Sequence, residues 1–304
     1  MMKKNVFVIF GVSGLIGTQL AKILNQSGQY IIGITRNRAS TNKKLSFLNE
    51  LLDTNNIQSS TFENPNNSFI FINLSGEPLI GIWTKNKRKR VLNSRFDGIN
   101  KSNEIITKYN LKTSSIISAS GIGIYENNFS ELQSEKSKTS DQSFVSQMSK
   151  KLEEKHHSLN NAKNVSLRFG IVLSEKGGSL SYLKLIYNLG LGGKIGNGNQ
   201  WWSWIHIDDL VSAIIHIIKN KLEGPINITS PIPERQKDFA KILGKVLKRP
   251  NFMFTPGFVL QIVLGKFATE LLHSKKISPD VLNKTKFKFK YPSLYGALND
   301  IYKQ

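Results

Sequence analysis

The sequence predicts an α/β fold, a doubly wound parallel sheet with a smaller C-terminal lobe. Three observations carry that prediction. Short apolar runs alternate with segments of helical spacing, a glycine-rich turn joins the first run to the first helix, and the texture of the chain changes near Gly224. In order, Met1-Met2-Lys3-Lys4-Asn5 leads into Val6 to Phe10, an uninterrupted apolar run of strand length. A strand covered on both faces has no reason to alternate with polar residues. Ile16, Leu20, Ile23 and Leu24 then fall on one helix face, and Tyr30 to Ile34 is apolar again, which completes a βαβ unit. Phe69 to Leu74, Ser115 to Ala119 and Val165 to Leu173 are further buried strands, separated by helical or polar segments. Right-handed crossovers between them wind the sheet on both faces. The stretch Asn127 to Asp141 is polar and aperiodic, a loop with room to move. From Gly224 onward, Asn227 to Pro231 is turn-like, Phe239 to Lys248 has helical spacing, and Pro250 and Pro256 precede a Lys-rich tail. The expected division is residues 1–223 as the main domain, part of its sheet completed by later residues, and 224–304 as the lobe on the substrate side.

Composition narrows the function. The 304 residues contain no cysteine, which excludes disulfides, thiol catalysis and thiolate metal sites. Five histidines show no ligand spacing, and the adjacent His156-His157 do not share a helix face, so no metal is expected. No apolar run is long enough to span a bilayer. A soluble, cytoplasmic protein without membrane insertion is therefore expected. The net charge of +21 invites a polyanion partner, but only eight of the 42 basic residues are arginine, and no recognition motif accompanies them. The chain is also rich in Asn and Ile, as A/T-rich codons would make it. The densest cluster, Lys85 to Arg90, reads as the solvated face of a helix, so a nucleic-acid partner is not expected.

The motif with the clearest chemistry is Gly11-Val12-Ser13-Gly14-Leu15-Ile16-Gly17, placed directly between a buried strand and an amphipathic helix. Glycines permit positive φ and close approach of a pyrophosphate to the backbone, and the helix N-terminus offers unpaired N–H groups to its charge. This is the dinucleotide turn of a Rossmann fold. At the end of the second strand an NAD site carries Asp or Glu for the ribose hydroxyls, but here the chain reads Gly33-Ile34-Thr35-Arg36-Asn37-Arg38. Arg36, with Arg38 and Thr35 beside it, suits a 2′-phosphate, because a guanidinium donates two parallel hydrogen bonds. The third strand ends in Asn73-Leu74-Ser75-Gly76, small enough for close approach of the adenosine side or for a simple turn. The expected cofactor is NADP(H).

These residues resemble an atypical branch of the extended short-chain dehydrogenase/reductases, the nucleoside-diphosphate-sugar epimerase-like family with a C-terminal end domain, also labelled cell-division-inhibitor-like. The resemblance covers nearly the whole chain. It rests on Gly11 to Gly17 with Thr35-Arg36-Asn37, on Asn73 to Pro78, on Trp83-Thr84 and Ser94-Arg95, on Gly190 to Gly193, and on Trp204 to Asp209. Pro279 and the Phe287 to Pro292 stretch before Ala297-Leu298 resemble the end domain, with a more basic Lys-Phe-Lys-Phe-Lys. The resemblance implies NADP(H) binding and leaves the reaction unassigned.

Reductases and epimerases of the wider superfamily use a Tyr with a Lys four residues later on one helix face, the lysine lowering the phenol's pKa for proton exchange. No tyrosine here is followed by that lysine. Aligning the trailing Glu153 puts Val145 and Ser149 in the two places. The strand end Ile117-Ser118-Ala119-Ser120-Gly121 resembles the superfamily's hydroxyl position, with Ser120 the best match. Tyr125 and, with the helix register shifted by one, Lys150 are candidates for the same pocket, against the plain readings of turn serine, surface tyrosine and solvated lysine. His206, beside Trp201, Trp202 and Trp204, resembles the segment that closes the substrate pocket, while Asp208 serves equally as the cap of a helix Asp209 to Ile218. Two readings follow. One is an NADP-dependent oxidoreductase or epimerase-like enzyme acting on a small polar molecule, phosphorylated or nucleotide-linked; the other is a non-catalytic NADP(H) sensor.

Overall fold

The computed structural model describes residues 5–140, 142–159 and 162–303. Met1 to Lys4, and Asp141 at the end of the expected loop, lie outside the described residues. Strand β1 (Asn5–Phe10), helix α1 (Leu15–Gln26) and strand β2 (Tyr30–Thr35) form the expected βαβ unit. There follow α2 (Arg38–Asn42), β3 (Glu50–Asp53), β4 (Ser68–Asn73), α3 (Lys85–Lys108), β5 (Thr113–Gly121), α4 (Phe144–His157) and β6 (Lys163–Phe169). The chain then forms β7 (Ile171–Leu173), α5 (Ser179–Asn188), β8 (Gly193–Ile195), β9 (Trp201–Trp202), β10 (Trp204–His206), α6 (Ile207–Lys219) and β11 (Gly224–Ile228). The C-terminal part holds β12 (Glu234–Arg235), α7 (Gln236–Leu247), β13 (Met253–Thr255), α8 (Gly257–Leu264), α9 (Phe267–Leu272), α10 (Asp280–Lys284) and α11 (Leu294–Ile301).

Seven strands make one parallel sheet in the order β11-β6-β5-β4-β1-β2-β3, so the doubly wound fold is present. The apolar runs are explained by its two covered faces. Val6, Val8 and Phe10 of β1 pack with Phe69 and Phe71 of β4 and Ile105 of α3. Phe7 and Ile9 turn the other way, onto Leu20 and Leu24 of α1 and Leu210 and Ile214 of α6. Successive residues point to opposite faces, so both sets must be apolar. Leu20 is fully buried. Burial of such a side chain contributes about 1.5–3 kcal/mol, and Leu20→Ala would cost about 2–5 kcal/mol once the cavity is included. A separate core under the C-terminal lobe joins Trp202, Trp204, Phe239, Leu243 and Leu298, which makes two of the three tryptophans of that segment packing residues.

The structure differs from the sequence reading in several places, each for a physical reason. The run Val165 to Leu173 is two strands. Gly170 separates them because a Cβ there would sit 2.7 Å from the Ser203 carbonyl oxygen, and β7 leaves the sheet to pair with β10. Asn227-Ile228, read as a turn, lies in the sheet as part of β11. The Asn227 side chain is polar but fully buried, accepting from the Tyr125 hydroxyl and donating to the Ser278 carbonyl. Edge strand β3 is short and half charged, and carries no periodic signal. The loop from Asn127 is pinned: Asn128 and Gln133 N–H groups donate to the Ser274 and Lys276 carbonyls, and Ser278 N–H returns to Gln133. Asp208 is not the cap of the following helix. His206 is, its ring accepting from the Asp208 N–H at 3.1 Å, so α6 begins at Ile207. The Lys85 to Arg90 run opens α3 behind its cap Thr84, but Lys87 is mostly covered and bonded to Glu77 at 3.1 Å.

Candidate functional site

The glycine turn is built by close approach. Gly11 has φ +74°, and a Cβ there would lie 2.8 Å from the Ser75 nitrogen and 2.9 Å from the Leu74 carbonyl oxygen. At Gly17 a Cβ would lie 2.3 Å from the Gly11 oxygen, so glycine lets α1 seat against the turn. Gly14 precedes α1, no side chain caps that end, and its first turn carries no acid. The free N–H groups and the positive end of the helix dipole are therefore left for an anion. Residues that Cβ atoms would crowd, together with an uncapped helix start, fit a dinucleotide pyrophosphate.

These groups border a cavity of about 830 Å³, whose lining includes Gly11, Ser13, Gly14, Thr35, Arg36, Leu74, Ser75 and Gly76. Four of the residues assigned to the cofactor in sequence stand behind this lining. Leu15 and Ile16 begin α1, Gly17 packs under the turn, and Asn73 holds the strand end, its Oδ1 accepting from the Ser75 N–H and hydroxyl at 3.2 and 2.5 Å. Thr35 is buried, its hydroxyl 3.2 Å from that of Ser13, while Arg36 is exposed at the rim. A shallow extension is lined by Arg36, Asn37, Arg38 and Asp53. Asp53 is a carboxylate that the sequence reading did not place here. Strand β3 brings it opposite Thr35. Further round the rim stand Lys44, Arg90 and Lys101, the last donating to the Thr54 carbonyl at 2.7 Å.

The sequence also gave no notice of what α3 contributes to this wall. Gly98 leaves room for Asn73 and Ser75, since a Cβ there would meet the Asn73 Oδ1 at 2.2 Å. Arg95 donates to the Glu77 and Val91 carbonyls at 3.1 and 2.9 Å, and burial lowers its pKa to about 10. The hydrogen bond from Lys87 holds the Glu77 carboxyl below the ordinary carboxylate range.

At the end of β5 the Ser120 hydroxyl donates to Glu153 Oε1 at 2.8 Å. The same carboxylate accepts Arg168 Nε at 2.9 Å and Nη2 at 2.7 Å, a forked pair buried between α4 and β6. Burial opposes the Arg168 charge, but the Glu153 carboxylate outweighs it and holds the guanidinium protonated. Arg168 Nη1 also donates to the Tyr125 hydroxyl at 2.7 Å, and that hydroxyl donates to Asn227 at 2.7 Å. Tyr125 is thus not a surface residue. It is fully buried, and burial pushes its phenol up to about 12. On α4, Val145 is packed against Gly123, where a Cβ would meet its Cγ1 at 2.4 Å, and Ser149 is buried. Lys150, the next residue, is half-buried and engaged with neighbouring protein groups.

His206 does not stand with Ser120. Its ring stacks on Tyr291 with centroids 4.0 Å apart, Nδ1 caps α6, and Nε2 lies 3.6 Å from the Asp300 carboxylate of α11. Burial lowers its pKa, which favours the neutral ring. Among the described residues His206, Asp208 and Asp300 form one group of metal-ligand type, within 4.8 Å of one another. Lys303 and Gln19 already bond the two carboxylates, at 2.9 and 3.2 Å. The C-terminal segment supplies two ionisable groups missed in sequence, a buried Lys275 and a half-buried Glu270. Lys275 donates to the Tyr125 carbonyl, and burial lowers its ammonium to about 8. Glu270 is raised by burial and approaches Gly123. Both were hidden in what read as a Lys-rich tail.

Comparison with known proteins agrees with this geometry. Residues 7–229 match the NAD dependent epimerase/dehydratase family, and residues 255–301 match a domain of unknown function, DUF1731. The chain is 35% identical to an epimerase family protein of Staphylococcus saprophyticus over 97% of its own length and 98% of the relative's. It is 33% identical to one of Staphylococcus aureus, covering 98% and 99%. The human epimerase family protein SDR39U1, solved with NADPH, superposes with a TM-score of 0.87 at 27% identity, covering 98% of this chain and 99% of that one. A UDP-glucuronic acid 4-epimerase from Bacillus cereus, solved with NAD and a fluorinated UDP-sugar, shares the fold at 17% identity, with a TM-score of 0.77 and coverage of 98% and 99%.

Proposed function

We propose, from the premise that this chain belongs to the NAD-dependent epimerase/dehydratase family, that it holds NADP(H) along Gly11 to Gly17 and acts on a small polar substrate, phosphorylated or nucleotide-linked. The observation that carries this reading is the cavity rim, where Arg36 follows β2 directly and Lys44 and Arg90 stand nearby. A 2′-phosphate adds charge that such a rim attracts and that a ribose hydroxyl lacks. The NADPH in the structure of the human relative supports the same choice. Asp53 faces the rim from β3, but Arg36 and Arg38 share that concavity and offset it.

A bound nicotinamide supplies or accepts a hydride. The chain's own part is orientation and proton control. In this reading Ser120 turns its hydroxyl from Glu153 toward a substrate carbonyl, at a cost of about 0.5–1.5 kcal/mol for the hydrogen bond given up. Glu153 loses little, because Arg168 keeps both of its oxygens bonded. Lys150 is proposed for the ribose side. Tyr125 and His206 act through others, Tyr125 by fixing Arg168 and His206 by capping α6. Val145 fills the usual tyrosine position, so the proton donor is an unconventional one.

Fluorescence titration with NADPH and NADH tests the cofactor, and oxidation of bound NADPH against carbonyl compounds and sugar nucleotides tests turnover. Arg36→Ala should weaken NADPH by roughly 10- to 100-fold, the loss of about 1.5–3 kcal/mol of charge-assisted bonding, and leave NADH nearly unchanged. Equal losses would refute a 2′-phosphate role for Arg36. Ser120→Ala should lower kcat with little change in NADPH affinity.

A further inference from the structure

From the exposed apolar surface around α8 we infer that the protein docks on an anionic membrane surface without crossing it. Helix α8, Gly-Phe-Val-Leu-Gln-Ile-Val-Leu, is apolar on nearly every side, yet none of its residues is buried. Phe258 and Ile262 are 66% and 79% exposed, and Phe252, the residue just before the adjoining strand, is 78% exposed. A helix apolar all round belongs in a core or in lipid. The face is continuous rather than scattered. Strand β13 leads into α8 through Pro256 and pairs with β8, and Arg249 Nε bonds Asn188 Oδ1 at 3.2 Å, bringing the exposed Leu185 and Leu189 of the α5 end alongside.

Charge selects the occupant. The stretch that carries this face, residues 248–266, contains Lys248, Arg249 and Lys266 and no Asp or Glu. Lys194 lies over the Phe254 ring at 5.2 Å, and Lys248, Arg249 and Lys266 are exposed at either end of the β13–α8 stretch. A second copy of the chain would bring the same cations against them. Anionic headgroups neutralise them while the aromatic and branched side chains enter the acyl boundary, the arrangement of an interfacial helix. No helix among the described residues is long and apolar enough to cross a membrane, which suits surface docking. The face also gives a local purpose to part of a +21 charge that has no nucleic-acid motif beside it.

The test is co-sedimentation of the full chain with phosphatidylcholine vesicles, with and without 30% phosphatidylglycerol, at about 0.15 M salt. Retention on the anionic vesicles is expected, with at least a tenfold loss for Phe258→Ser with Ile262→Ser, since both side chains then no longer favour the acyl boundary. That pair leaves the net charge unchanged, and an unaltered thermal unfolding curve would show that it still folds. Lys194→Gln with Lys266→Gln should reduce the preference for anionic over neutral vesicles several-fold. No retention, or equal retention of the serine pair, would overturn the inference, the latter by reducing it to general charge. So would a dimer in light scattering that the serine pair abolishes, which would give the face to a second copy.

Discussion

Replacing Glu153 by Gln is the sharpest test of how the end of β5 is held. Glu153 is 8% exposed and Arg168 4%, so neither charge is solvated. The carboxylate accepts three hydrogen bonds, two from Arg168 and one from Ser120. Glutamine keeps the shape but has one oxygen, and its NH2 must face a guanidinium N–H, leaving a buried cation without its counter-charge. Breaking a buried pair from one side costs about 3–5 kcal/mol, against a typical total stability of about 5–15 kcal/mol. At about 2–4 °C per kcal/mol for a chain of this class, the melting temperature should fall by on the order of 6 to 20 °C. The assay is thermal and urea unfolding of the wild type, Glu153→Gln, Arg168→Met and the double variant. Glu153→Gln with Arg168→Met should recover much of the loss, because no orphaned charge remains and Tyr125 keeps its bond to Asn227. A single-variant cost below about 1 kcal/mol, or a double variant as unstable as the sum of both, would refute the argument.

Gly11→Ala should cost about 1–2 kcal/mol from positive φ alone and, by pushing against Leu74 and Ser75, lower affinity for NADPH; isothermal titration would show it, and unchanged affinity would refute the close-approach account. His156 is fully buried between Ser166 and the Ile116 carbonyl, and burial lowers its pKa to about 4, below the ordinary 6.5. The unfolded chain therefore binds this proton first as pH falls. Its contribution is fully present above about pH 6.5 and is lost toward pH 4, about 3 kcal/mol in all, so His156→Gln should flatten stability against pH in that window. Asp209 accepts the Lys290 and Tyr291 N–H groups at 2.8 and 2.9 Å, tying α6 to the C-terminal segment. Asp209→Ala leaves two donors unpaired and should cost about 2–6 kcal/mol in urea unfolding, with faster hydrogen exchange at residues 290 and 291 as the local sign.

The parts of this molecule that were legible in sequence are those whose cause is local. Val6 to Phe10 is apolar because two faces of one strand are covered. Gly11, Gly14 and Gly17 are spaced by a single strand-to-helix turn, so neighbours in sequence are the neighbours that matter. The missed elements answer to distant partners. Asn227 reads as a turn residue until Tyr125, 102 positions away, fills its acceptor. Gly98 looks like a helix weakness until Asn73 and Ser75 occupy the space it leaves. Asp208 has the right type for a cap, yet His206 takes the position because β10 delivers its ring beside the Asp208 N–H in the first turn of α6.

The same distinction explains why the cofactor end of the site is better defined than the chemical end. A pyrophosphate is recognised by backbone N–H groups and a helix dipole, and both follow from where the chain turns. A proton donor needs a side chain whose pKa is set by everything packed around it, and here those surroundings come from four separate stretches. Ser120 depends on Glu153 of α4, Glu153 on Arg168 of β6, Arg168 on Tyr125, and the Tyr125 carbonyl on Lys275. Among these, Lys275 has a pKa that burial brings near the working range, to about 8, whereas the Tyr125 phenol is pushed away from it, to about 12. Tyr125 has the type that its position in sequence recommends, but its hydroxyl is already bonded to Arg168 and Asn227. For the reaction proposed above, the place to search for a proton donor is where α4, the end of β5 and the segment around Glu270 and Lys275 come together.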